Sequence, residues 1–151
     1  MDVEVMKARP CASPEEEVVI ALHPPRWDPK LNRGTKSIFE KPNTSVSRRV
    51  ISSIEEIVAS FRRSIQGGKV DLKGYGVIGV AAIQAIGAES QNPIAFEVTI
   101  DPVDPSELDT IGNPAHAEII PFAPDKASIK ARVSDGVCSK LEKALTVVQV
   151  D

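Results

Sequence analysis

The chain has 151 residues, a length that suits one domain with a real core and leaves little room for two, and its 42% hydrophobic and 26% charged residues are ordinary globular proportions. A formal net charge of −3 excludes a general attraction to phosphate. No stretch approaches the roughly 18 apolar residues that cross a bilayer, and two cysteines without metal-type spacing, Cys11 and Cys138, suit a reducing cytoplasm better than a disulfide scaffold.

Residues 1–14 read as a flexible N-terminal arm without the apolar core of a secretion signal, and 15–151 as a single α+β domain. Val18–Leu22, a β-branched run stopped by His23-Pro24-Pro25, predicts the first strand. Prolines number 12 and cluster at 10–42, 93–105 and 114–124, which makes 26–42 a structured loop carrying Trp27 and Arg33-Gly34, with a short strand at Lys36–Phe39. Asn43 to Ser47 then leads through Arg49-Val50-Ile51 toward a helix. Its start is explicit: Ser53 followed three residues later by Glu56 is a capping box. Ile54, Ile57, Val58, Phe61 and Ile65 share one face of that helix, and Gly67-Gly68 ends it.

The apolar, glycine-containing stretch 74–88 predicts a second helix over Val77–Glu89, packed closely through Gly79, Ala82 and Ala85. Strict alternation predicts a strand at Ala95–Ile100, and a second at Ala115–Phe122 as its neighbour. Lys126–Val133 reads as a short strand or a helical turn. A final helix capped by Ser134 and Asp135 places Val137, Leu141, Leu145 and Val148 on one stripe. The expected architecture is a small sheet of four to five strands packed by two to three helices.

The most pointed candidate is Asn113-Pro114-Ala115-His116-Ala117-Glu118. On a strand His116 and Glu118 share a face about 6–7 Å apart, so the carboxylate can orient an imidazole for general-base work. The leading reading is nevertheless a histidine that satisfies a nearby turn. Arg33-Gly34 offers an anion-binding fork beside a close backbone approach, or equally a loop anchor. Ser45, within the hydroxyl-rich run 43–47, and Asn113 complete the candidate ligand-binding set. No phosphate loop, dinucleotide fingerprint or metal-ligand spacing occurs, so neither cofactor nor metal is expected. Local basic residues, Arg48 with Arg49 and Arg62 with Arg63, are the available nucleic-acid contact.

The order Arg33-Gly34, Phe39, Ser45-Val46, the glycine- and alanine-rich stretch 76–88, Asp101-Pro102 and Asn-Pro-Ala-His-Ala-Glu-Ile at 113–119 resembles a family of small uncharacterised bacterial proteins. That resemblance implies a hydrophobic strand and a terminal helix after the motif, and no activity. Arg33-Gly34, Thr44 to Ser47 and Glu118 also fall in an order similar to the arginine, serine and glutamate strands of ADP-ribosyltransferases, whose fold binds NAD. Two functions follow as expectations. The first is a non-enzymatic binding or adaptor module of a multi-protein bacterial system, with a protein partner. Its competitor is a small enzyme on a nucleotide or other anionic substrate, in which Arg33 holds the anion while His116 and Glu118 move a proton.

Overall fold

The computed structural model describes residues 9–65, 71–124 and 126–150. Among these residues there are nine strands: β1 (Glu17–Leu22), β2 (Trp27–Asp28), β3 (Arg33–Gly34), β4 (Thr44–Arg48), β5 (Gly74–Gly79), β6 (Ala95–Ile100), β7 (His116–Ala123), β8 (Lys126–Lys130) and β9 (Thr146–Gln149). Three α-helices accompany them: α1 (Ile54–Ser64), α2 (Val80–Ala88) and α3 (Asp135–Ala144). The main sheet runs β6-β7-β4-β1-β5-β9, with β8 added to β7, and every pairing in it is antiparallel. Because Phe122 pairs with both Ala95 and Lys130, β8 lies on the β4 side of β7 and extends the β4 lane.

The α+β class and the three helices agree with the sequence, whereas four to five strands underestimates the sheet. Three local assignments are corrected. First, Lys36–Phe39 is a 3-10 turn rather than a strand, and its buried Ile38 and Phe39 sit beneath α3. Second, the expected helix 77–89 divides into β5 and the shorter α2. Gly74–Gly79 takes extended backbone because β1 and β9 flank it and supply its hydrogen-bond partners. Third, Val148 belongs to β9 and not to the last helical stripe, which stops where Leu145 leaves the helix. Residues 44–47 of the hydroxyl-rich run belong to β4, a strand held between β1 and β7.

Alternation along the strands builds two cores. Val18, Ile20, Leu22, Val46, Ile78, Phe96, Val98, Ala117 and Ile119 face α2 and α3, where Val80, Ile83, Val137, Cys138 and Leu141 cover them. On the other face Val19 and Val77 meet Ile57, Phe61 and Ile65 of and beside α1. The capping box forms as the sequence predicts, with Glu56 N–H donating to Ser53 Oγ and Ser53 N–H to Glu56 Oε1. The stop at Gly67-Gly68 lies outside the described residues, as do 1–8 of the expected arm. Its remainder runs along β6: Ala12 N–H donates to Val98 C=O, Ile100 N–H donates to Pro10 C=O, and Ala12 is buried.

Candidate functional site

The apolar cluster beneath α1 draws on β1, β5 and Val150 just after β9, and on no residue of β4 or β7. Ser47 pairs with Val19 on one side and His116 on the other, so the α1 face continues across β4 and β7 as polar residues. Ser45 stands opposite Glu118, and Glu118 opposite Thr99 of β6. Alternation thus puts Ser45, Ser47, His116, Glu118 and Thr99 on one face, where Ser47 and Thr99 are buried.

Each notable side chain there is already engaged. His116 Nδ1 lies 2.7 Å from the Asp101 carbonyl oxygen, the contact a protonated Nδ1 makes as donor, and 3.6 Å from an Asp101 carboxylate oxygen. Asn113 accepts from Ala115 N–H through Oδ1, closing its own turn, and donates through Nδ2 to Ser47 Oγ. Glu118 accepts from Asn43 Nδ2 at 3.0 Å, and Lys130 Nζ donates to Asn43 Oδ1 at 2.8 Å. His116 and Glu118 therefore share a face while bonding in different directions. Ser45 stays exposed beside them.

Arg33 does not join this group. Its Nε donates to Glu142 Oε1 at 2.5 Å, and Glu142 is a buried residue of α3, on the opposite face of the sheet. Gly34 has a packing reason to be glycine, since a Cβ there would stand 2.5 Å from Ile38 Cδ1 and 3.2 Å from Leu22 Cδ2. The sequence-level set thus separates into a loop anchor, Arg33-Gly34, and a polar sheet face holding Ser45, Asn113, His116 and Glu118.

The residue the sequence did not suggest as a site member is Asp101. It reads there as a strand end, 15 residues before His116, and only the β6–β7 register brings the two together. Around them the 101–113 segment is tied down. Val103 and Asn113 exchange two backbone hydrogen bonds, Asp109 accepts from the N–H groups of Ile111 and Gly112, and Arg63 of α1 reaches Asp109 and the Gly112 carbonyl. These backbone donors, first among them Ile111, hold the Asp109 carboxyl below its ordinary value. Within the expected basic patch Arg48 pairs with Glu16, Arg49 with Glu17 and Arg63 with Asp109.

Burial pushes both thiols, Cys11 and Cys138, above their ordinary value, which disfavours the thiolate a nucleophile needs. Among the described residues no group of three or more His, Cys, Asp or Glu side chains is placed to hold a metal, and no helix is long and apolar enough to cross a membrane. Large apolar side chains are also exposed beside the site. Of seven exposed large hydrophobic side chains among the described residues, Val103, Leu108 and Ile111 sit on the 101–113 segment and Val50 and Ile51 on the β4–α1 turn. The elements flanking that turn reach the 101–115 region, β4 through Arg48 N–H to Ala115 C=O and α1 through Arg63 to Asp109 and the Gly112 carbonyl.

Fold and site together define an antiparallel α+β domain with a hydrogen-bonded polar turn beside loops that expose several apolar side chains. No protein-family model, curated protein or solved structure matches the chain.

Proposed function

We propose that the protein is a non-enzymatic binding or adaptor module, a cytoplasmic component of a multi-protein bacterial system, that engages a protein partner through the 101–113 segment and the β4–α1 turn. The observation that carries this reading is the exposure of Val50, Ile51, Val103, Leu108 and Ile111 on two loops whose backbones are tied by hydrogen bonds. Exposed apolar groups on a preorganised backbone bind at low ordering cost. Asp104 and Glu107 are exposed on the same segment, so the partner surface is apolar with lysine or arginine at its rim. The unpaired cysteines, Cys11 and Cys138, suit a reducing compartment.

In this reading Asn113 and His116 shape the loop rather than touch the ligand. The enzymatic alternative asks Arg33, His116 and Glu118 to converge, and the Arg33–Glu142 pair lies across the sheet from the other two. The test places a photo-crosslinking amino acid at Leu108, which is fully exposed, and at Lys140 on α3 as a control, in the native host. One discrete protein adduct at Leu108, absent at Lys140 and lost on Asp104→Lys/Glu107→Lys, is the expected result. Equal labelling at both positions, or none at Leu108, overturns the proposal.

A further inference from the structure

Strand β9 ends the main sheet, with no strand on its outer side among the described residues. Its pairing with β5 decides which groups face outward. Val150 N–H donates to Lys73 C=O at 3.1 Å, so residues 73 and 150 continue the ladder as a hydrogen-bonded pair. Alternation then turns the backbone groups of Thr146 and Val148 toward β5, and those of Val147 and Gln149 away from it. The edge sequence Thr-Val-Val-Gln carries no charge or proline, the devices that commonly blunt an exposed edge. Beside it, on the α1 face, runs an open groove of about 450 Å³ lined by Ile54, Val58, Tyr75, Val148 and Val150, with Glu55 and Arg62 also on it. Val148 is 39% exposed at its floor.

We propose that this edge is a homodimer interface, in which β9 pairs antiparallel with β9 of a second copy about a two-fold axis at Val148. With the axis there, Val147 faces Gln149 of the other copy twice over, and all four residues are ones whose N–H and C=O point outward. Val148 then opposes its own counterpart as a non-hydrogen-bonded pair, the position at which side chains approach most closely. Both valines lie on the groove face, so each copy closes the groove of the other. Charge favours a second copy over an unrelated strand. The two-fold reverses α1, which sets the Glu55 end of each groove beside the Arg62 end of its partner, an isologous and self-complementary contact.

Sedimentation over a range of concentrations tests this with the wild-type chain, Gln149→Pro and Val148→Lys. Gln149→Pro removes an outward N–H and leaves the β5 ladder intact, while Val148→Lys opposes two ammonium groups at the axis. The wild type is expected to reach twice its 16.2 kDa mass, and both variants to remain at 16.2 kDa with unchanged circular dichroism. Should both variants misfold, Val148→Cys with Cys11→Ser decides, through an intermolecular disulfide formed on mild oxidation. A wild-type monomer at every concentration, even one whose edge captures a foreign strand, overturns the proposal. A dimer that survives both substitutions, or a Val148→Cys variant that does not crosslink, overturns it equally.

Discussion

Replacing Glu16 by Gln tests how the loops of the proposed surface are held. Arg48 donates from Nε and Nη2 to the two Glu16 carboxylate oxygens at 2.7 and 2.8 Å, and both side chains are nearly buried, 14% and 11% exposed. Glutamine keeps the shape but removes the charge and one of the two acceptors, leaving a desolvated guanidinium half satisfied. Breaking a fully buried pair costs about 3–5 kcal/mol; residual solvent contact here reduces that to about 2–3 kcal/mol. For a domain of this size the loss lowers Tm by roughly 4–12 °C.

The acid limb gives an independent signature. Hydrogen bonding from Arg48 is the largest influence holding the Glu16 carboxyl below its ordinary value. A carboxyl whose folded value is depressed contributes stability that is present above its unfolded value and lost as pH falls through the folded one. Thermal melts between neutral pH and the acid side of the glutamate range should therefore show the wild type converging on Glu16→Gln as pH falls. An Arg48→Met partner completes a double-mutant cycle whose coupling separates the pair from its surroundings. A Tm change below about 1 °C, where roughly 2–4 °C per kcal/mol is expected, or a constant gap at all pH values, would refute the reasoning.

Two further substitutions probe the packing and the polar turn. At Gly87 an added Cβ would stand 2.5 Å from the Ile94 carbonyl oxygen and 2.6 Å from Phe96 Cδ2. Gly87→Ala is thus expected to lose about 1–3 kcal/mol in urea unfolding, by forcing α2 away from β6. His116→Ala deletes the bond to Asp101 C=O and should cost about 1 kcal/mol. Hydrogen exchange in that variant should quicken at Val103 and Asn113, and leave α2 protected, because His116 fixes the start of the 101–113 segment.

Whatever depends on residues a few positions apart was legible in the sequence. The Ser53–Glu56 box and the Ser134 cap need only a separation of three, and both form. The alternation of 95–100 identified β6, because a strand with one face in the core writes its period of two into its side chains. The run 74–88 carried no such period. Its division into β5 and α2 was decided by β1 and β9, which satisfy the backbone of 74–79 and leave 80–88 to satisfy itself. Thr44–Arg48 became a strand for the same reason, held between β1 and β7. The site divides likewise. Sequence named Asn113, His116, Glu118, Ser45 and Arg33 by chemical type. Tertiary structure gave His116 to Asp101 through strand register and Arg33 to Glu142, 109 residues away. Such pairings follow from which face of the sheet each strand presents, and that is fixed only when distant strands meet.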